Sequence, residues 1–517
     1  MIKVIVRENA YYDSVTLMLI SREMKKREGV EEVLVGMGTD LNLDLVKMLD
    51  MFLPELEKVT PNDLFIAALF DESKVTMDEL VALFEEELNS KKDAHPGDYR
   101  PPTLSSAVNH LQGANLVQIS LPGRYAAGEA EAALNQGLHV MMFSDNVPVE
   151  DELRLKKLAV QKGLLMMGPD CGTAIINGVP LCFANAVRRG KIGLVGASGT
   201  GTQEITVRIH QLGQGLSQVI GTGGRDLREE IGGLMMIQGI EALAADPETQ
   251  VIVLVSKPPS PSVEKKIYDL VSTLDKPVVI DFIGGDAESI RKAGAIPCIS
   301  LEDAARKAVA LATGQEPVDF DGFDRGEEAV DRLVEDEVSR LAPGQKYLRG
   351  LYTGGTLADE AMKYLAVDHL IYSNIPLTSD QDLSKLEGKA GHICLDLGED
   401  QFTRGRPHPM IDPMTRSDFF TSHVDETTAL VLADVVLGYG SHEDPAGAVA
   451  DSVAQARGKL EKAGGHLIAV ASVTGTDEDP QNLKESIATL EAAGVIVMPS
   501  NAQAVRLVNR IMKRAGL

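Results

Sequence analysis

Lys191-Ile-Gly-Leu-Val-Gly-Ala-Ser-Gly-Thr-Gly-Thr-Gln-Glu204 reads as an apolar strand that runs into a turn of small residues and opens directly onto a helix. Strand, tight turn and helix in that order form half of a βαβ unit, and they predict a parallel sheet covered by helices. The turn also has the chemistry of an anion site. Gly196, Gly199 and Gly201 let the backbone approach a ligand, and Ser198, Thr200 and Thr202 supply hydroxyls. The helix expected over 204–212 aims its free N–H groups and positive dipole end into the turn. A phosphate or carboxylate held by Ser198, Gly199, Thr200, Gly201 and Thr202 is one reading, and a turn whose glycines serve only packing is the other. No lysine follows the last glycine, so this is not a Walker A loop, and the glycine spacing is not that of a dinucleotide fingerprint.

Outward from this stretch the chain divides. Residues 1–90 alternate short strands with amphipathic helices and predict a small α+β unit; the polar run from Lys91 to Pro102 reads as a linker. Strand, helix, strand alternation predicts one α/β unit over 103–188 and a second over 189–313, whose first strand-to-helix connection is the quoted turn. Residues 314–345 are acidic and poor in strand formers, and predict a linker with one exposed, solvated helix. A third α/β unit is expected over 346–517, and its first strand also ends in small residues, Tyr352-Thr-Gly-Gly-Thr-Leu357.

A chain of 517 residues is too long for one core. Its formal net charge of −26 argues against a nucleic-acid or anionic-membrane surface, because either partner would be repelled. Cys171, Cys182, Cys298 and Cys394 show no CxxC pairing and read as free thiols in a reducing compartment. The N-terminus is too short in apolar residues for a signal peptide, and no stretch reaches the ~18 residues of a membrane span, so a cytoplasmic location is expected. The ten histidines form no His-x-x-x-His pattern, and no metal is expected. Ser198 lacks the Gly-x-Ser-x-Gly frame of a serine nucleophile.

In doubly wound sheets ligands collect at the carboxyl ends of strands, which directs attention to the loops there. Gly221-Thr-Gly-Gly-Arg-Asp226 and Ser256-Lys-Pro-Pro259 place Gly223, Gly224, Arg225 and Lys257 beside the anion turn, with Arg225 as oxyanion stabiliser. Asp226 as a brace for Arg225 is the structural alternative. The stretch Asp396 to Arg416 is rich in charge and stiffened by prolines. In it Arg404 and Arg406 are candidates to clamp a substrate carboxylate, and His408 is a candidate acid or base near neutral pH. Gly438, Tyr439, Gly440 and Ser441 form a second small-residue turn before a helix, expected to face the first turn across one phosphate, with Gly354, Gly355 and Thr356 as further substrate contacts.

Six runs in fixed order carry a resemblance: Phe143 to Val147, Met167-Gly-Pro-Asp-Cys-Gly-Thr173, Gly193 to Gly201, Gly221 to Asp226, Gly354 to Leu357 and Gly405-Arg-Pro-His-Pro-Met-Ile-Asp-Pro413. The chain is similar to the FdrA family, itself related to succinyl-CoA synthetase and other NDP-forming acyl-CoA ligases. The resemblance implies a Rossmann-like, CoA-binding-type domain over 103–188. It also implies two flavodoxin-like domains, of synthetase α type over 189–313 and of β carboxyl-terminal type over 346–517. An ATP-grasp domain has no counterpart among these motifs, and the CoA fingerprint of the Rossmann domain is replaced. Lys292 stands where the synthetases carry a phosphohistidine, and an ammonium is no nucleophile at neutral pH.

What the resemblance implies is an acyl or carbamoyl transferase component that forms or uses an acyl phosphate. The example in the family is oxamate carbamoyltransferase of allantoin and purine catabolism. Phosphate is then a substrate, CoA a possible ligand, and further protein subunits and an oligomer are expected. An acyl-CoA synthetase working with an ATP-grasp partner and a non-catalytic metabolite-binding subunit are the alternatives.

Overall fold

A computed structural model describes residues 1–10, 12–90, 101, 103–386, 388, 390–404 and 406–517; most of the linker expected over 91–102 lies outside the described residues. The chain folds as a mixed α/β protein in two compact units, residues 1–110 with 400–408, and residues 111–399 with 409–517. Among the described residues no helix is long and apolar enough to cross a membrane.

In the first unit, β1 (Ile2–Arg7), α1 (Ser14–Lys25), β2 (Val30–Met37), α2 (Asp40–Met48), β3 (Leu64–Phe70), α3 (Met77–Ser90) and α4 (Leu104–His110) follow in order. The sheet order is β1-β3-β2, and both pairs are antiparallel. Central β3 is apolar throughout because both its faces are covered. Leu64, Ile66, Ala68 and Phe70 pack with α1 and α3, while Phe65 and Ala67 pack with Val46 and Met51, as a period of two requires.

The second unit opens with β4 (Leu116–Ile119), α5 (Gly123–Asn135), β5 (His139–Met142), α6 (Val149–Lys162) and β6 (Met166–Met167), a three-stranded parallel sheet. The hairpin β7 (Thr173–Ile176) and β8 (Val179–Cys182) follows. Next come β9 (Arg189–Gly196), α7 (Gly199–Gln211), β10 (Leu216–Gly221), α8 (Leu234–Ala245) and β11 (Val251–Ser256). After these lie α9 (Pro261–Val271), β12 (Val278–Phe282), α10 (Ala287–Lys292), β13 (Ile296–Pro297) and α11 (Leu301–Ala312). Their sheet runs β13-β12-β11-β9-β10-β7-β8, so the hairpin closes the edge of β10 and a boundary at 188 would cut through one sheet. Pairing an exposed strand edge is the physical reason.

The acidic segment carries α12 (Glu327–Ser339). The acidic face is solvated as expected, while the opposite face of the helix is packed. Val330 and Val334 are buried against α18, and the carboxylates of the segment meet cations of neighbouring helices. Asp321 pairs with Arg506 at 2.7 Å, Asp331 with Arg510 at 3.1 Å, Asp319 with Lys307 at 2.5 Å, and Asp324 with Arg306. Net acidity hid this, because the matching cations lie elsewhere in the sequence.

The remaining elements are β14 (Tyr347–Tyr352), α13 (Gly355–Leu365), β15 (Ile371–Tyr372), β16 (His392–Asp396), α14 (Asp400–Thr403, in the first unit) and α15 (Met414–His423). They continue with β17 (Thr428–Val436), α16 (Pro445–Lys462), β18 (Ile468–Thr474), α17 (Leu483–Ala492), β19 (Ile496–Met498) and α18 (Asn501–Ala515). The parallel sheet is ordered β15-β16-β14-β17-β18-β19.

The two large sheets dock through a polar exchange with an internal symmetry. Glu204, five residues after the start of α7, accepts a hydrogen bond from Asn501 N, the first residue of α18, at 3.0 Å. Glu360, five residues after the start of α13, accepts one from Leu301 N, the first residue of α11, at 2.9 Å. Each sheet's first helix thus caps the last helix of the other. Burial pushes both carboxyls up, Glu360 to about 7. A carboxyl raised in the folded state holds a proton that the unfolded chain has released, so stability falls as pH rises from the ordinary value of 4.5 towards 7. Glu360→Gln should flatten that slope by roughly 1.4 kcal/mol per pH unit in thermal melts between pH 5 and 7; an unchanged slope would show that Glu360 titrates normally.

Candidate functional site

The order β11-β9-β10 sets the loops after these three strands side by side at one sheet edge. Ala197 N donates to Val255 O at 3.0 Å and Thr222 N to Gly196 O at 2.9 Å, which ties them together. Gly224 faces Ala197 O, and Lys257 is exposed on the third loop. Gly223 has a φ of +79°, and a Cβ there would run into Pro169 O, so both conformation and space demand glycine.

Helix α7 begins at Gly199, five residues before the sequence placed it. The run Gly199-Thr-Gly-Thr202 is its first turn, with Ser198 as N-cap accepting from Gly201 N at 3.1 Å. Two glycines in a first turn cost helix propensity, about 1 kcal/mol each. Close contact overrides that cost: a Cβ on Gly201 would stand 2.5 Å from Ser198 Oγ and 2.9 Å from Thr356 Cγ2.

Thr356 belongs to the N-terminus of α13, and the two helices meet there head to head. Ser198 Oγ and Thr356 Oγ1 are 2.6 Å apart, and a Cβ on Gly354 would lie 2.8 Å from Thr200 Cγ2. No side chain among the described residues caps α13. The preceding turn is held from behind by Asp434 on β17, which accepts from Thr353 N and Gly354 N, both at 2.8 Å. Burial raises the Asp434 carboxyl, and the nearby Arg416 guanidinium, with Nη1 at 3.1 Å, opposes that rise. Asp396, at the end of β16, lies on the other side of α13's first residue, and a Cβ on Gly355 would run into its Oδ2.

Two N–H groups of the Gly438–Ser441 turn, which was expected to face α7 across a phosphate, are already engaged. Gly438 N donates to Gln481 Oε1 at 3.0 Å and Tyr439 N to Ala184 O at 2.9 Å. Gly440 packs on Phe183, so this turn seats the segment that follows β8. The helix beyond it starts at Pro445, which has no N–H, and Asp444 already caps it by accepting from Gly447 N at 2.8 Å. The opposing helix end is that of Gly354, Gly355 and Thr356.

Arg225 is already engaged. Its Nε lies 2.9 Å from Glu152 Oε2 and its Nη2 donates to Val147 O at 2.8 Å, which corrects its assignment as an oxyanion stabiliser. Neither does it pair with Asp226, whose carboxylate meets Lys156 at 2.8 Å. Arg404, Arg406 and His408 belong to the first compact unit, not to the third α/β unit. Arg404 and Arg406 are exposed there on the turn after α14. Burial pushes the His408 imidazole down to about 4, which keeps it neutral at pH 7 and removes the expected titration near neutrality. Lys292 is exposed on α10 and paired with Glu288 at 2.7 Å. The residues that sequence reasoning missed are Asp396, Asp434 and Arg416. An acid closing an apolar strand was the available signal for Asp396, and an acid within one for Asp434; nothing local marks Arg416.

Comparison with known proteins puts the CoA-binding match downstream of the 103–188 expected for a CoA-binding-type domain. Residues 187–284 match the CoA binding domain model, residues 351–511 the CoA-ligase model, and residues 1–101 the model described as AllF, heavy metal-associated domain. The last stretch has no cysteine and a single histidine. The chain is 45% identical to the uncharacterized protein YahF of Escherichia coli K12 over 97% of its own length and 96% of YahF. The mitochondrial ADP-forming succinate–CoA ligase subunit alpha-2 of Trichomonas vaginalis is 32% identical over 35% of this chain and 59% of its own. A dinucleotide-forming acetyl-coenzyme A synthetase 1 of Ca. Korarchaeum cryptofilum, solved with phosphate and ADP, covers 82% of this chain and 87% of itself at 15% identity and a TM-score of 0.36, a distant likeness. With acyl-CoA ligase-like domains in this order, the chain belongs to the FdrA family, together with YahF, and is related to succinyl-CoA synthetase and the other NDP-forming acyl-CoA ligases.

Proposed function

We propose that the protein is an acyl or carbamoyl transferase component that forms or uses an acyl phosphate, with phosphate seated where α7 and α13 meet. The observation that carries this reading is the head-to-head contact of Ser198 and Thr356, 2.6 Å between hydroxyls, with α13 left uncapped. Two positive dipole ends in contact repel, and an anion between them turns repulsion into attraction worth about 0.3–1 kcal/mol per end, up to ~2 when partly buried. Gly199, Gly355, Gly224 and Lys257 would then line the approach, with Lys257 the cation for a substrate carboxylate or oxyanion. A phosphate oxygen attacks the carbonyl carbon, and the leaving group departs with the bond's electron pair. With oxalurate as donor the products are oxamate and carbamoyl phosphate. Direct transfer suits a chain that presents Lys292, in an ion pair, where relatives are expected to carry a phosphohistidine.

The CoA-binding and CoA-ligase matches favour a second reading, an acyl-CoA ligase that works with an ATP-grasp partner subunit. Both readings place the protein in the cytoplasm with further subunits. Incubation with oxalurate and phosphate, followed by assay for carbamoyl phosphate, tests the first; ATP, CoA and a carboxylic acid in parallel test the second. Saturable phosphate binding without turnover, even with partner subunits present, would indicate a metabolite-binding subunit. Gly201→Val should abolish phosphate binding in calorimetry and lower turnover at least a hundredfold, because its side chain needs the space of Ser198 Oγ and Thr356 Cγ2. Unchanged affinity would remove phosphate from this junction.

A further inference from the structure

Resting on that reading of the site, we propose that Asp396 is a catalytic residue, the group that hands a proton to the departing atom of the substrate. Asp396 closes β16 and is 5% exposed. Its Oδ1 accepts from Gly398 N at 2.9 Å, while Oδ2 accepts from none of the described residues. That unbonded oxygen occupies the space a Cβ on Gly355 would need, so it lies against the first residue of α13, the helix with no side-chain cap. A carboxyl oxygen with no hydrogen-bond partner among the described residues, set against the first residue of a helix with no side-chain cap, is available to a ligand bound at that helix end. Were the group permanently ionised it would hold the anion position against phosphate; as a carboxylic acid it donates to the ligand instead.

The charges that face Asp396 are Lys257 from the loop after β11, Glu399 from its own loop, and Asp434 from β17, which Arg416 offsets. Burial pushes the carboxyl up to about 7, helped by Glu399 and Asp434 and opposed by the Gly398 N–H and by Lys257. The step balances without another reactant. The C–O bond to phosphate forms as the C–N bond of the donor breaks, and the electron pair goes to nitrogen. The Asp396 proton joins that nitrogen, and the proton of hydrogen phosphate then restores Asp396.

Asp396→Asn in the full chain tests this, with inorganic phosphate as probe in calorimetry at pH 6 to 8 and turnover measured alongside. Phosphate affinity of the wild type should fall about tenfold relative to the variant across that range, and comparison at equal pH cancels the ionisation of phosphate itself. Turnover at pH 6.5 should fall a hundredfold or more in the variant. Gly355→Ala, which drives the carboxyl aside, should reproduce the loss of pH dependence if the asparagine variant folds poorly. A constant affinity ratio with turnover unchanged would overturn the role of Asp396 while leaving the phosphate site in place. A folded wild type with no saturable phosphate binding would overturn the site, and Asp396 with it.

Discussion

Arg416→Ala should destabilise the protein by about 3–5 kcal/mol and weaken phosphate binding, because it strips the counterion from a carboxylate that has no access to water. Arg416 is 3% exposed and Asp434 fully buried; Nη1 donates to Asp434 O at 2.6 Å and lies 3.1 Å from Oδ1. Burial disfavours the charged form of both groups, so each depends on the other. Without the guanidinium, Asp434 takes up a proton and becomes a poorer acceptor for Thr353 N and Gly354 N, and the turn that aims α13 loosens. Thermal melts should show a loss of roughly 10 °C. The double change Arg416→Met with Asp434→Asn should recover most of the stability, since no unpaired charge remains, but not the phosphate affinity. A single variant that melts with the wild type would show that Asp434 is solvated.

The second large effect is expected at Lys156. Its ammonium is fully buried and donates to Glu152 Oε1 at 2.8 Å, Asp226 Oδ1 at 2.8 Å and Thr222 O at 3.0 Å. Asp226 in turn accepts from Met235 N and Met236 N in the first turn of α8, and Glu152 holds Arg225. One cation therefore joins α6, over the small parallel sheet, to the loop after β10 and to α8. Lys156→Ala leaves two buried carboxylates, of which Glu152 keeps Arg225 and Asp226 keeps no cation among the described residues, and should cost about 3–5 kcal/mol. The loss should be local first. Hydrogen exchange and limited proteolysis should show residues 111–168 opening before the large sheets. Global unfolding without early exchange in that segment would show that the cluster does not join the two.

These expectations rest on contacts that sequence order conceals. The turn around Ser198 was legible as a helix-opening turn because strand, glycines and hydroxyls are contiguous. Its true helix start was not, since glycine propensity argues for a later start and the approach of Ser198 Oγ and Thr356 to Gly201 is visible only in space. Gly438 to Ser441 carries the same local chemistry, yet Asp444 already caps the helix that follows and Pro445 brings it no N–H. Arg225 and Lys257 look alike on paper as cations at strand ends. Glu152, more than seventy residues upstream of Arg225, occupies one and leaves the other exposed.

Local order alone determined the α/β class, the parallel sheets and the small-residue turns at strand ends, because hydrophobic periodicity and turn chemistry act over a few residues. Which turns meet, which charges are spent on each other, and that Asp396 stands over Gly355 were decided by tertiary structure. The reason is that burial and pairing energies depend on the neighbour in space, and residues 198 and 356, or 204 and 501, become neighbours only when the two sheets dock.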